Sequence, residues 1–570
     1  MTLRTLSRIL VVLALVVLGV WLIGGTGRLT SETSLRQRAI QGFGPAGRPA
    51  RTAVDAASDG DGAGMVTGIS AVPSVVTFVN GPAPVPGKYL ESYLRGEFDL
   101  EDHVENIYTE AEIQRLIERS LARGVDRDVQ IAETTDAGLL VNIPVNFLGL
   151  RYSNTIGLTP PDAEIAVGID HVVEVVNSTL AIYNKADGSI AAGPVDMEAL
   201  FSATCGAGGF YFDPVAVYDD EADRYLVSII VDEGSANHFC IAASQSSDPL
   251  GNWNVYNFDC NPGAGTNYFC DYHRIAAGQT AVYVTANMFG QSFVRNHVFA
   301  FEKAKMYAGE AANFVKYDVG NNYFTLNPTK MLGHDFGGWP SNPAEPHYIV
   351  TTPMTGGKVD IFAFSDPWGT PSLTLKASVT ASSFGYPVTQ QQMGGQPITA
   401  NDGRLLDAKY WGGHIWATQH VGCNPGSGTV NCVRWYELDL TGATPSLVQS
   451  GTYGSNGDYR SFPDLAVNAC GQMVVGYTKM NASSYPSVYV AGRAARSRPG
   501  RLVAEAQVYA GEAAHACYDA IPRRWGDYLD MTVDPVDGQT FWYVGQYSYT
   551  QPSCNWATRI AAIQLRSCTP

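Results

Sequence analysis

The sequence predicts an all-β protein whose main part, residues 142–568, is a seven-bladed β-propeller. Beyond Asn142, short apolar stretches of alternating polarity follow one another, separated by turn residues, which is typical of antiparallel strands. An acidic residue followed by alternating apolar residues and a hairpin recurs in this region, at Asp162, Asp213, Asp271, Asp407, Asp464 and Asp527. A four-strand repeat of about 40–50 residues is the signature of a propeller blade.

The number of blades follows from the spacing of these repeats. The interval between Asp271 and Asp407 is long enough for two units, and the missing start is predicted near residues 339–347, before the strand Tyr348–Val350. The last unit holds three predicted strands and ends in Ala557–Leu565. We expect Ile143–Leu150 to supply its fourth strand, which would close the ring without an exposed edge.

The composition agrees with many short strands and argues against some partners. Charged residues make up 16% of the chain, while 59 glycines and 30 tyrosines suit tight turns and strands. The net charge of −17 argues against nucleic acid as a partner, because phosphate binding needs a basic surface. It also argues against docking on anionic lipid through a basic patch.

Residues 1–28 are predicted to be a signal peptide or a signal anchor. Residues 9–23 are apolar apart from Gly19, and Arg4 and Arg8 precede them. No clean Ala-x-Ala cleavage site follows, which favours an anchor in the inner membrane through residues 9–25. Either alternative predicts an exported protein, periplasmic or extracellular.

Two segments connect this terminus to the propeller. Residues 29–86 are rich in Gly, Ala, Ser, Thr and Pro and are predicted to be a flexible tether, with one short apolar strand at Val75–Val79. Residues 87–141 are predicted to be a helical lead-in segment. Thr109 and Glu112 fit a capping box, and apolar residues between Ile113 and Leu121 share one helix face.

Ten cysteines, all beyond residue 200, predict disulfides in an oxidising compartment, because none forms a CxxC pair. The short separations favour Cys260–Cys270 and Cys423–Cys432. The remaining pairs are predicted as Cys205–Cys240, Cys470–Cys517 and Cys554–Cys568.

Several motifs resemble a family of secreted bacterial β-propeller proteins that have a sialidase-like fold and, for the most part, no assigned function. The matching stretches are Pro160–Asp162, Asp213–Val215, Arg434–Leu438, Arg524–Tyr528 and Val533–Asp537. The resemblance spans Pro160 to Leu565 in the same order and implies the propeller fold. It implies no catalytic residues, because the family offers no agreed set.

The repeated acidic residues are the candidate functional site. The inner strand of each blade begins at one mouth of the central channel, so these carboxylates are expected to ring that mouth. Arginines lie three or four positions from several of them and are expected to pair with them. The candidate binding residues are Asp162, Asp213, Asp271, Asp407, Asp464, Asp527, Arg274, Arg404, Arg460 and Arg524.

We predict no cofactor for this site. A structural calcium ion would fit such carboxylates, but the sequence does not specify a metal. Guanidinium partners would lower the carboxyl pKa values, whereas converging carboxylates would raise them.

The sequence favours a non-catalytic binding or adhesion module for a glycan or for an extracellular or periplasmic protein. No His-x-x-x-His pair, nucleophile elbow or phosphate-binding loop is present in the sequence. The alternative is a glycoside hydrolase that uses two Asp residues of the channel mouth as acid and base. Carboxyl groups with raised pKa values and no arginine neighbours would favour the hydrolase.

Overall fold

The described strands form seven sheets arranged around one axis, and the fold is an all-β propeller. The computed structural model describes residues 65–86, 115–116, 118–119, 129–131, 141–234, 236–263, 268–290, 292–518, 521–551 and 554–566. The inner strands of consecutive sheets contact each other, and the last contacts the first, which closes the ring. The four strands of a complete blade pair antiparallel in chain order, so a blade is a four-stranded meander.

The sheets are numbered by the chain order of their inner strands, and each is listed from the axis outwards. Sheet 1 contains β5 (Glu164–Val167), β6 (His171–Val176), β7 (Thr179–Asn184) and β8 (Ile190–Asp196). Sheet 2 contains β9 (Phe210–Asp219), β10 (Arg224–Asp232), β11 (Asn237–Ser244), β12 (Asn252–Asp259) and β2 (Ser74–Thr77). Sheet 3 contains β13 (Phe269–Ala277), β14 (Ala281–Phe289), β15 (Phe293–Glu302), β16 (Asn313–Gly320) and β1 (Met65–Ile69). Sheet 4 contains β17 (Asn327–Pro328), β19 (His347–Thr351), β20 (Gly356–Ser365) and β21 (Ser372–Ser383).

Sheets 5 to 7 complete the ring. Sheet 5 contains β18 (Lys330–Met331), β22 (Asp407–Trp411), β23 (His414–Cys423), β24 (Val430–Asp439), β25 (Ser446–Gly454) and β3 (Val129–Ile131). Sheet 6 contains β26 (Tyr459–Val467), β27 (Met473–Asn481), β28 (Ser484–Arg493) and β29 (Val503–Tyr509). Sheet 7 contains β30 (Asp530–Val533), β31 (Phe541–Ser548), β32 (Trp556–Leu565) and β4 (Val141–Arg151). The described helices are α1 (Met197–Cys205) and α2 (Lys303–Ala308), with short 3-10 turns at Phe78–Asn80, Tyr152–Asn154 and His334–Phe336.

Six of the seven sheets are complete blades, so the prediction of seven regular blades needs correction. In sheet 4 the inner strand β17 has two residues, and it lies at 327–328, not at the predicted 339–347. Pro328 has no N–H to donate to a ladder. Directly after it the chain leaves its own sheet, and β18 pairs in parallel with β22 of sheet 5. The fourth blade is therefore incomplete at the axis.

The predicted closing strand is confirmed. β4 pairs antiparallel with β32, with Phe147 opposite Ile560 and Asn146 opposite Ala561. The first strand of the propeller therefore completes its last sheet. This closure removes the edge that a three-stranded last blade would expose.

The tether prediction is wrong from Met65 onwards. β1 pairs with β16 and β2 pairs with β12, so both strands extend the outer edges of blades. β2 confirms the short strand expected near Val75. The physical reason is local composition, because Val, Ile and Thr in these short runs favour pairing with an open sheet edge.

The lead-in segment is described only in part. Arg115, Leu116, Glu118 and Arg119 are helical, and β3 pairs in parallel with β25, so this segment also supplies a strand. Residues 1–28 lie outside the described residues. Within the part that the structure describes, no helix is long and apolar enough to span a membrane.

Three of the predicted disulfides are confirmed: Cys205–Cys240, Cys260–Cys270 and Cys423–Cys432. Cys517 is bonded to Cys554, so the predicted pairings of Cys517 with Cys470 and of Cys554 with Cys568 are wrong. Sequence separation could not identify this pair, because it joins the segment before β30 to the turn between β31 and β32. Cys470 is also disulfide-bonded, and Cys568 lies outside the described residues.

Candidate functional site on the propeller axis

A recurring backbone turn carries the chain into most of the inner strands. Six residues in or before the inner strands have a positive φ between 49° and 55°, which is unusual for residues other than glycine. These residues are Asp162, Asp213, Tyr272, Thr325, Asn401 and Phe462. In sheets 2, 3 and 6 the turn coincides with a shift in strand register. The repeated turn therefore brings equivalent positions of successive blades to the same level of the axis.

Four carboxyl groups meet at the end of the axis where the inner strands begin. We name this group the mouth cluster and define it as Asp162, Asp213, Asp271 and Asp527. Their exposed fractions are 1%, 5%, 4% and 2%. One carboxylate oxygen from each of Asp162, Asp213 and Asp527 lies within 4.8 Å of the other two. Asp162, Asp213 and Asp527 therefore converge, whereas the other predicted acids Asp407 and Asp464 both contact Lys409. A binding role for these acids stays a prediction.

Neutral donors hold Asp162 and Asp213 in place. Asp162 Oδ1 accepts a hydrogen bond from the Asp527 backbone N–H at 2.8 Å, and Asp162 Oδ2 accepts one from Asn177 Nδ2 at 2.8 Å. Asp213 Oδ2 accepts a hydrogen bond from the Tyr272 N–H at 3.3 Å.

The electrostatics of the mouth cluster disfavour full ionisation. Burial raises the pKa of Asp162 well above its ordinary value, and the neighbouring Asp527 and Asp213 raise it further. Burial likewise raises the pKa of Asp213, together with the carboxylates of Asp271 and Asp527. Arg524 opposes these effects but does not outweigh them. Arg524 donates to Asp527 Oδ2 at 2.6 Å, and Asn401 Nδ2 donates to Asp527 Oδ1 at 2.6 Å.

A second buried group lies further along the axis, and it contains charges of both signs. We name it the axial ion network and define it as Glu164, Arg274, Lys330, Asp407, Lys409, Asp464 and Asp530. Lys330 Nζ lies 2.8 Å from Glu164, 2.9 Å from Asp407 and 2.8 Å from Asp530. Lys409 Nζ lies 3.0 Å from both Asp407 and Asp464. Five of the seven sheets contribute to this network: sheets 1, 3, 5, 6 and 7.

The cations of the network set the ionisation of its acids. Burial alone would raise the pKa of Asp407, but Lys330, Lys409 and Arg274 outweigh it and hold that pKa below its ordinary value. The pKa of Asp530 is lowered in the same way by Lys330 and Lys409. Asp464 differs, because burial and the nearby Asp407 keep its pKa well above the ordinary value despite Lys409.

The predicted arginine pairing holds at one position. Arg524 contacts Asp527 as expected. Arg404 instead contacts Asp402, at 2.6 Å between Nη2 and Oδ2, and Arg460 contacts Glu505 at 2.9 Å. Arg274 contacts Glu164 at 2.8 Å and Asp407 at 3.3 Å, not Asp271. Side chains on a strand alternate between faces, so proximity in sequence did not identify partners that come from other blades.

Sequence reasoning missed four members of the network: Glu164, Lys330, Lys409 and Asp530. A usable signal was present for two of them. Glu164 and Lys409 each lie two positions after a repeated acid, and positions two apart on a strand share a face. Lys330 had no such signal, because it lies on β18, a two-residue strand that pairs in parallel with sheet 5 and follows no repeated acid.

Two long connections close the end of the axis at which the mouth cluster lies. We name them the cap and define it as residues 384–406, 510–518 and 521–526. Both join an outer strand to the next inner strand, so both lie at the end where inner strands begin. They contact each other, because Ile398 bridges to Arg523 and Gln392 Nε2 donates to His515 O at 3.0 Å. The cap explains why the mouth cluster is buried.

No protein-family model matches this chain, and no curated protein matches it. Among solved structures, the chain is similar to an exo-β-1,3-galactanase from Clostridium thermocellum, with 11% identity, a TM-score of 0.28, and coverage of 75% of this chain and 99% of that one. It is similar to a Trypanosoma rangeli sialidase in complex with sialic acid, with 11% identity, a TM-score of 0.32, and coverage of 69% and 57%. It is also similar to the N11 neuraminidase-like protein of A/flat-faced bat/Peru/033/2010 (H18N11), with 9% identity, a TM-score of 0.33, and coverage of 66% and 98%.

Proposed function

We propose that this protein is an exported β-propeller that acts as a non-catalytic binding or adhesion module for a glycan or protein ligand. The observation that carries the proposal is the burial of the axial carboxyl groups beneath the cap. In this proposal the acids on the axis hold the propeller together, and the ligand contacts its outer surface.

The chemistry of hydrolysis argues for this choice. A glycoside hydrolase needs two carboxyl groups on either side of one bond, about 5–10 Å apart and open to the sugar. The mouth cluster has converging carboxyl groups, but none of them is more than 5% exposed. In the axial ion network, the carboxylates of Asp407 and Asp530 are paired with lysines, which makes them poor proton donors near neutral pH.

The outer surface of the cap is the proposed ligand-binding face. Gln391 and Gln396 are exposed there, and Thr389 is exposed beside them. Amide and hydroxyl side chains donate and accept hydrogen bonds, which suits the hydroxyl groups of a glycan. The Cys517–Cys554 disulfide fixes one cap segment to the turn between β31 and β32, so the surface is held in one arrangement. Such preorganisation reduces the entropic cost of binding.

The disulfides support the proposed location. Disulfides persist in oxidising compartments and are rare in the cytosol. The described residues contain four of them. Together with the apolar residues 9–25, they support a periplasmic or extracellular protein, either cleaved from its signal or anchored by it.

A glycoside hydrolase is the second candidate, and one observation favours it. The pKa values of Asp162 and Asp213 are raised by burial and by neighbouring carboxylates, as the pKa of a general acid must be. This candidate requires the cap to open, because its acids would otherwise not reach a sugar.

A glycan-array screen with cap variants tests the proposal. We expect the wild-type protein to bind a defined set of glycans or a matrix protein, and the double variant Gln391→Ala with Gln396→Ala to bind at least tenfold more weakly. Gln507→Ala is the control, because Gln507 is an exposed amide on β29, outside the cap segments. Equal binding by the double variant and the control would contradict the cap as the binding face.

A further inference from the structure

We propose that the mouth cluster binds one calcium ion through the carboxylates of Asp162, Asp213 and Asp527, with the side-chain oxygen of Gln546 as a further ligand. This goes beyond the proposed function, because it concerns an ion inside the propeller and not the ligand on the cap.

The geometry of the three carboxylates suits a single ion. One oxygen from each lies within 4.8 Å of the other two. Calcium binds oxygen ligands at about 2.3–2.6 Å, so two ligands on opposite sides of one ion are at most about 5 Å apart. The three oxygens can therefore reach one calcium ion with little movement.

Gln546 is an independent observation that points to a ligand. It lies on β31 and is 1% exposed, yet within the described residues its Oε1 has no hydrogen-bond partner. Its Nε2 donates to the Trp525 carbonyl at 2.6 Å, which fixes the orientation of the amide. A buried carbonyl oxygen without a donor is destabilising unless something else satisfies it.

The free oxygen of Gln546 borders the same small space as Asp162. A Cβ atom placed on Gly526 would lie 3.2 Å from Gln546 Oε1, 3.9 Å from the Tyr528 carbonyl and 4.0 Å from Asp162 Oδ1. Glycine leaves this position free, and oxygens of Gln546, Tyr528 and Asp162 lie within 4.0 Å of it. Carboxylate and carbonyl oxygens together are the ligands that calcium prefers.

The axial ion network provides an internal comparison. Glu164, Asp407 and Asp530 also bring three carboxylate oxygens within 4.8 Å of one another. There the chain supplies the cation itself, because Lys330 Nζ lies 2.8–2.9 Å from all three. In the mouth cluster, neither Asp162 nor Asp213 has an ion pair with any residue that the structure describes. A bound cation would neutralise the carboxylates of the mouth cluster, as Lys330 neutralises those of the axial ion network.

Calcium fits better than other common ions. Zinc prefers nitrogen and sulfur ligands, which the cluster does not offer, and magnesium retains several waters that a buried site would have to accommodate. Extracellular modules bind calcium with dissociation constants of about 0.1–1 mM, which suits an exported protein.

Metal analysis and thermal unfolding of the purified full-length protein test the proposal. In equilibrium dialysis against 5 mM CaCl2 (roughly five or more times the expected Kd), we expect about one bound calcium per chain above the concentration in the dialysis buffer. We expect the melting temperature in calcium to exceed that in EDTA. Asp213→Asn should weaken calcium binding at least tenfold, and it should raise the melting temperature in EDTA, because it removes one of the repelling carboxylates.

This reversal of sign separates a calcium ligand from an acid with a purely structural role, whose loss would lower stability in both conditions. Glu310→Gln is the matched control. Glu310 is an exposed acid that pairs with Lys305 and does not belong to the mouth cluster, so this variant should bind calcium as the wild type does. Gln546→Leu, which keeps all the carboxylates, should also weaken binding. A wild-type protein without bound calcium and with equal melting temperatures in calcium and EDTA would overturn the proposal. So would calcium binding that Asp213→Asn and Gln546→Leu leave unchanged.

Discussion

At the residue scale, one buried acid connects the first and last blades. Glu174 on β6 is fully buried, and its Oε2 accepts hydrogen bonds from the Leu150 N–H at 3.0 Å and from the Tyr183 hydroxyl at 2.8 Å. Its Oε1 contacts the hydroxyl of Thr558 on β32. Thr558 also donates to the Leu150 carbonyl at 2.9 Å. Burial raises the pKa of Glu174 to about 7, although these hydrogen bonds oppose the shift.

We predict that Glu174 makes the stability of the fold depend on pH. Its pKa in the folded state lies above its ordinary value of 4.5. The stabilisation is therefore complete below about pH 4.5 and is lost as the pH rises through about 7. A shift from 4.5 to about 7 corresponds to roughly 3 kcal/mol. Glu174→Gln keeps a neutral group that can donate to Thr558, so it should be more stable than the wild type at pH 8 and similar to it at pH 4.

Chemical denaturation at pH 4, 6 and 8 measures this effect. The exposed substitution Glu310→Gln controls for the change in net charge. If Glu174→Gln and the wild type lost stability in parallel between pH 4 and pH 8, Glu174 would not be the titrating group.

The sequence predicted the four members of the mouth cluster, but it placed Asp407 and Asp464 with them, and these two lie in the axial ion network. It also did not predict the partners of the cluster. The repeated acidic positions identified Asp162, Asp213, Asp271 and Asp527, because blade periodicity places equivalent positions at one level. The partners of these acids come from other blades and from the cap, for example Asn177 and Asn401. Such contacts depend on how the ring closes, and no local pattern encodes that.

At the scale of elements, regularity decided which predictions succeeded. The closing strand β4 was predictable because the last repeat held too few strands. β1 was not predicted, and β2 was predicted as a strand but not as part of a blade, because both lie in a segment whose average composition is typical of a linker. The inner strand of sheet 4 was missed because it has two residues in its own sheet and then pairs with sheet 5.

The segment that carries β2 should contribute measurably to stability. Phe78 directly follows β2 and is fully buried, with ring-centroid distances of 4.3 Å to Trp253 and 5.7 Å to Phe201. We predict that Phe78→Ala destabilises the propeller by about 3–5 kcal/mol, because it leaves a cavity in the core. Val79→Ala, at a side chain that is 45% exposed, should change stability by less than about 0.5 kcal/mol. Equal unfolding midpoints for the two variants would indicate that this segment does not pack on the propeller.

At the scale of the whole molecule, the axial ion network joins inner strands that are distant in sequence. Lys330 contacts acids from sheets 1, 5 and 7, and Arg274 connects sheet 3 to sheets 1 and 5. A propeller closes only when its inner strands converge, and opposite charges on the axis favour that arrangement.

We predict that removing Lys330 destabilises the entire ring. Lys330→Met leaves Glu164, Asp407 and Asp530 buried with less compensation, and the loss of one partner from a buried ion pair is worth about 3–5 kcal/mol. Lys305→Met removes an exposed lysine that pairs with Glu310 and should have little effect. Calorimetric unfolding compares the two variants. Similar melting temperatures would show that the network does not hold the blades together.

The central claim is that the protein is a non-catalytic binding module. Its most direct test is to measure the hydrolysis of a panel of chromogenic glycosides by the wild type and by Asp162→Asn. Because the axial acids are buried beneath the cap and serve the fold, we predict no hydrolysis by the wild type above the rate measured with Asp162→Asn. Hydrolysis by the wild type that Asp162→Asn abolishes, with an unchanged melting temperature, would contradict the binding-module account and assign the mouth cluster to a hydrolase.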